Sequence, residues 1–137
     1  MGGAVRAGGL HTRIALGGGL HASSLGLTWM RPVDERAVLY AFHFYEPWEY
    51  VTFRVNEGRY RYPDRMPEGW TTGSRAEALA SVAAWSGQHR IDRRRIIASE
   101  FGCDRRVEGA GAYLDDLLTD LERFSWHWAF FAFPGAG

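Results

Sequence analysis

The chain contains no lysine and only one cysteine, and the second scarcity closes classes of function. All sixteen basic side chains are arginines, and sixteen acidic ones balance them. With the many alanines and glycines, this pattern reads as genomic composition rather than function. A neutral chain presents no basic field for a nucleic-acid partner or an acidic membrane surface. Cys103 stands alone, so no internal disulfide and no cysteine-based metal site can form. The five histidines, His11, His21, His43, His89 and His127, never fall into His-Glu-x-x-His spacing. A zinc site is therefore not expected. No apolar run reaches the length of a membrane span. The N-terminus MGGAVRAGGLHTR has no apolar core of the kind a secretory signal needs, and the cellular address stays open. The glycines Gly17–Gly19 lack both a following Gly-Lys-Ser/Thr and a G-x-G-x-x-G frame. That makes a nucleotide-binding α/β domain the weakest reading, and close backbone packing the better account of these glycines.

Aromatic side chains, by contrast, are abundant at 15% of the chain. The 137 residues suffice for one domain with its own core, and no linker divides 1–137. RIALGGG, residues 13–19, reads as a buried strand ending in a glycine turn. Residues 20–36 read as a short helix and a loop. AVLYAFHF, residues 37–44, is a second strand whose continuous apolar character fits a parallel strand covered on both faces. Residues 45–70 form a long connection rich in aromatics, proline and glycine. Loops of that length inside a domain are usually functional. Ser74 and Glu77 have capping-box spacing and predict a helix start. Leu79, Val82, Ala83 and Ser86 then form its buried stripe. RRIIASEFG, residues 94–102, is a third strand. GAYLDDLLTDLERF, residues 111–124, is the clearest helix. It has Tyr113, Leu114, Leu117, Leu118 and Leu121 on one face and Asp115, Asp116 and Asp120 on the other. SWHWAFFAF, residues 125–133, is a fourth strand. Alternating strands and helices predict right-handed crossovers and a parallel sheet.

Ligands of such folds bind at the C-terminal ends of the strands. There the sequence collects Gly17–Gly19, then His43, Tyr45 and Glu46, then Glu100, then Trp126 and Trp128. Flat rings beside hydrogen-bonding edges make a surface suited to sugars. Taken singly, each residue also has a plain structural account: a core histidine, a salt-bridged carboxylate, a core tryptophan. Cys103 lies near Glu100 but has no base beside it, so thiol chemistry is not expected.

In combination, HFYEPWEYVTF, then ASEFGCDRRVEGAGAYLDDLLTDL, then SWHWAFFAF resemble the C-terminal half of glycoside hydrolase family 5, the cellulase family. In that family the sixth barrel strand ends in a His-x-Tyr segment. The seventh ends in Glu-Phe-Gly, and the eighth carries an aromatic residue that stacks on sugar. IALGGG matches the fifth. The resemblance implies a partial (β/α)8 barrel, strands five to eight with their helices. It also implies retaining hydrolysis of O-glycosidic bonds in β-glucans such as cellulose, with no metal or organic cofactor. By position Glu100 would be the catalytic nucleophile, and His43 and Tyr45 would bind substrate and hold the nucleophile's charge state. Trp128 would be the sugar platform, with Phe131 competing for that place because strand register is open. Trp48 and Tyr50 would extend the cleft.

Two departures from the family matter. Its acid/base glutamate follows an asparagine on the fourth strand, and no such pair precedes RIALGGG. The Asn56–Glu57 pair lies in the long connection, and the role does not transfer to it. A complete barrel takes about 250 residues, so four strands lack their first half. The expectations are an isolated chain with weak or no hydrolase activity and self-association through the open half-barrel. The second reading is a non-catalytic carbohydrate-binding or structural remnant.

Overall fold

Four short, mostly apolar runs pair as one sheet in sequential order: β1 (Ile14–Gly17), β2 (Val38–Phe44), β3 (Ile96–Phe101) and β4 (His127–Phe130). Every pairing is parallel. The structure is a computed structural model that describes residues 13–131. Ala132 and Phe133 of the predicted fourth strand, and His11, lie outside the described residues.

The helices are α1 (Gly19–Ala22), α2 (Ser24–Thr28), α3 (Trp48–Val51), α4 (Phe53–Asn56), α5 (Thr72–Gln88) and α6 (Ala110–Arg123). The first of these is a turn with left-handed backbone at Leu20 and His21. It is packed tightly enough to require glycine. A Cβ on Gly18 would stand 2.3 Å from the Gly26 carbonyl oxygen, and one on Gly26 would stand 1.9 Å from that of Gly19. The glycines after β1 therefore serve the approach of α2 to the strand.

The long connection is less irregular than the sequence implied, because α3 and α4 lie within it. Asn56 is buried and organises the segment. Its amide donates to the Tyr50 and Tyr60 carbonyls and its side-chain oxygen accepts from the Tyr60 amide. The helix expected to start at Ser74 starts earlier, with Thr71 at the N-cap. Ser74 acts from the third helical position, its hydroxyl accepting from the Thr71 amide at 2.9 Å. Glu77 has no part in this cap.

Sequential order with right-handed crossovers places all crossover helices on one face of the sheet. That face holds the core. Val38, Tyr40, Phe42 and Phe44 of β2 and Ile96, Ala98 and Phe101 of β3 are fully buried. They pack with Leu27 of α2, Leu79, Val82 and Trp85 of α5, and Tyr113, Leu117 and Leu121 of α6. Each large apolar side chain buried there contributes about 1.5–3 kcal/mol.

One polar pair crosses this layer. Arg75 of α5 donates from Nε to Asp120 of α6 at 2.6 Å, and its Nη1 donates to the Tyr62 hydroxyl at 2.9 Å. Asp120 was expected on the exposed face of α6. It is buried instead, because Arg75 supplies the countercharge that makes burial tolerable.

Candidate active site

The other face of the sheet carries the candidate site, and a bulge decides which residues reach it. Phe42 pairs with Ala98, but the next residue, His43, pairs with Glu100. Ser99 is the extra residue. Ala98 and Phe101 are three positions apart and yet both fully buried in the helix layer, which strict two-residue alternation forbids. The bulge thus turns Glu100 onto the face of His43 while keeping Phe101 in the core. Sequence reasoning placed Glu100 at the strand end but had no signal for this irregularity.

Alternation along β2 carries His43 and Tyr45 to the same side. The Tyr45 hydroxyl donates to Oε2 of Glu100 at 3.1 Å. His43 Nδ1 stands 3.6 Å from the same oxygen. That is too long for a hydrogen bond but within ion-pair range when the ring is protonated. Among the described residues, Oε1 of Glu100 has no hydrogen-bond partner. Burial, and then the neighbouring Glu100 carboxylate, push the Tyr45 phenol up to about 12. A phenol in that state stays protonated and donating across ordinary pH. The ring of Tyr45 meets His43 on one side and Trp48 on the other, both edge-on. The structure therefore brings Glu100, Tyr45 and His43 together.

Trp128, expected as the sugar platform, is not brought to them. It pairs with Ala98, and its ring packs edge-on against buried Phe101, 5.8 Å between centroids. Ala98 and Phe101 both face the helices, so Trp128 lies on the opposite face from Glu100. The register of β4, open in the sequence, is one residue out of phase with that expectation. Phe131 takes the rim position. Its amide donates to the Phe101 carbonyl at 2.9 Å. The contact depends on Gly102, where a Cβ would meet the Phe131 carbonyl oxygen at 2.1 Å. Phe131 and Trp48 are more than half exposed, at 59% and 57%. They line a groove of about 810 Å³ with Tyr45, Gly102 and Arg54. Tyr50, by contrast, is fully buried against Tyr62 and Tyr113 and is not part of the cleft.

Trp126 precedes β4 and is buried, its ring stacked on Phe124, so it does not reach the rim. Glu46 directs its carboxylate to the Ser24 hydroxyl, which donates at 3.3 Å, and burial raises its pKa. Burial pushes the Cys103 thiol up to about 12, which leaves it a poor nucleophile. Glu57 is exposed at the end of α4. Among the described residues, no group of three or more His, Cys, Asp or Glu side chains could hold a metal ion.

Solved structures with this architecture include endoglucanase Cel5A from Thermotoga maritima, at TM-score 0.73 and 18% identity, over 90% of this chain and 41% of that one. A broad-specificity GH5-4 endoglucanase from Bacteroides salanitronis matches at TM-score 0.74 and 18% identity, over 93% and 37%. The cellulose synthase subunit Z of Clostridioides difficile matches at 0.72 and 15%, over 90% and 42%. The fold is part of a (β/α)8 barrel, as in these three structures. In that frame the four strands form one side of the barrel wall, the helix layer is its outside, and Glu100, Tyr45 and His43 stand on the inner side. The chain spans about two fifths of the length of these three structures. No family model and no curated protein sequence matches it.

Proposed function

We propose that this chain is the nucleophile-bearing part of a retaining glycoside hydrolase that cleaves O-glycosidic bonds in β-glucans such as cellulose. The observation that carries the reading is the single carboxylate oxygen, Glu100 Oε2, that Tyr45 donates to and His43 faces.

The chemistry follows from that arrangement. A nucleophilic carboxylate must be ionised and aimed. The hydrogen bond from Tyr45 fixes the rotation of the group. With Oε2 held, Oε1 is the oxygen left to attack an anomeric carbon. The carbon–oxygen bond to the leaving sugar breaks as a second carboxyl group gives that oxygen its proton. Water then displaces Glu100 and returns a proton to the second group. The partner carboxyl belongs about 5–5.5 Å away. Glu46 is engaged by Ser24 and Asp104 by Arg106, so neither is offered for the role. A missing general acid costs roughly 10²–10⁴-fold in rate, so the chain alone is weakly active or inactive. Trp48 and Phe131, exposed beside Tyr45, supply flat surfaces on which a glucan stacks.

Trp48 and Phe131 equally support the second reading, a carbohydrate-binding remnant without turnover. One experiment separates the two. The purified chain is incubated with a soluble β-glucan, reducing ends are assayed, and tryptophan fluorescence is followed with added cellobiose. Slow release abolished by Glu100→Gln supports the hydrolase reading. Quenching without release, lost in Trp48→Ala, supports the binding remnant. Neither signal would remove both.

A further inference from the structure

The end of the sheet opposite Glu100 carries a feature that glycan hydrolysis does not use. A cavity of about 400 Å³ is lined by Arg13 at the start of β1, Arg36 before β2, Asp92, Arg94 and Arg95 before β3, and His127 of β4. It gathers four guanidinium groups from three segments of a chain that is neutral overall.

Their partners show how much of this charge is spent. Arg94 is paired with Asp92, its Nε and Nη2 donating at 3.0 and 3.1 Å. Arg95 is held by backbone. Its Nε donates to the Val38 carbonyl at 3.1 Å and its Nη2 to the Glu35 carbonyl at 2.8 Å, while the group lies over the Tyr40 ring. Those carbonyls orient the guanidinium without neutralising it. Arg13 and Arg36 are exposed and have no partner among the described residues. The carboxylate of Glu35 accepts from the Ala37 amide at 3.0 Å and does not line the cavity. His127 Nε2 lies 3.1 Å from the Arg94 carbonyl oxygen, where only a protonated nitrogen makes a bond. Among the described residues, Asp92 is thus the one carboxylate in a lining that holds four guanidinium groups, and it is paired with Arg94.

We infer that this rim is a binding site for a compact multivalent oxyanion of the phosphate class. Arg95 provides a fixed charge, and Arg13 and Arg36 close on the ligand from two neighbouring strand starts. Guanidinium forks match tetrahedral and planar oxyanions through paired hydrogen bonds. The same chemistry recognises a free inorganic anion and the phosphate of a phosphorylated sugar.

The test is isothermal titration of the full chain at constant ionic strength, with inorganic pyrophosphate in one arm and glucose 1-phosphate in the other. Saturable binding is expected, and the tighter arm assigns the source of the phosphate. Arg13→Ala and Arg36→Ala should each weaken it about tenfold or more. Both side chains are exposed and have no partner among the described residues, so the variants should fold, which circular dichroism checks. Arg65→Ala, at an exposed position in the long connection that lines neither the groove nor this cavity, should leave binding unchanged. Absence of saturable binding in both arms would overturn the inference. So would binding that survives loss of Arg13 and Arg36 together, or that falls equally in Arg65→Ala.

Discussion

The hydroxyl of Tyr45 donates to Oε2 of Glu100 across 3.1 Å, joining residues 55 positions apart in the chain. This bond has a pH signature. The phenol is raised from 10.0 to about 12 by burial and by the adjacent carboxylate. A group whose folded pKa lies above its unfolded value contributes stability that is fully present below the unfolded value and lost as pH climbs through the folded one. Stability should therefore fall between about pH 10 and about pH 12 by more in the wild-type chain than in Tyr45→Phe. Urea unfolding of both across that range measures the difference. Parallel curves would mean that Tyr45 is not coupled to Glu100.

The bulge at Ser99 makes a sharper prediction. Deleting Ser99 removes the extra residue and leaves Ala98, Glu100 and Phe101 in strict alternation, with Glu100 still on the inner face and Phe101 in the core. The deletion variant should therefore fold and lose less in urea unfolding than the about 3–5 kcal/mol that an uncompensated buried charge costs. A loss of that size, recovered in the double variant that also carries Glu100→Leu, would mean that the carboxylate had turned into the helix layer.

Arg75 and Asp120 form a buried pair, at 8% and 7% side-chain exposure. Removing one partner strands the other. Asp120→Asn or Arg75→Met is expected to destabilise the chain by about 3–5 kcal/mol, whereas Arg75→Met with Asp120→Leu should cost far less. A double-mutant cycle from denaturant midpoints measures the coupling.

The sheet has unpaired strand edges at β1 and β4 among the described residues, and Ala15, Gly17 and Ala129 on its inner side are exposed. Such edges and faces recruit further strands. The purified chain is expected to show a mass above that of one copy in light scattering on a sizing column. A folded monomer would mean that four strands suffice without a cover.

Much of the fold could be read from the sequence because it rests on local rules. AVLYAFHF is strand-like by itself, and the leucine spacing of the last helix defines one buried face whatever it packs against. That Glu100, Tyr45 and His43 lie close together was legible because each stands at the C-terminal end of a strand or just past it, and parallel topology brings those ends to one rim. Asp120 was not, because a buried carboxylate depends on an arginine 45 positions away. Nor was the helix start at Thr71, since two overlapping polar spacings compete for the cap and only the entering chain direction selects between them.

The sequence alone determined the alternation of elements and the identity of the residues at the rim, since periodicity and turn chemistry act over a few neighbours. Tertiary structure alone decided which ring of the last segment stands at the rim. Side-chain direction in a strand reverses with a one-residue shift, and that register is set by contacts with the neighbouring strand. The bulge at Ser99 fixed Glu100 inward, the pairing of Trp128 with Ala98 sent that ring outward, and Phe131 was left at the rim.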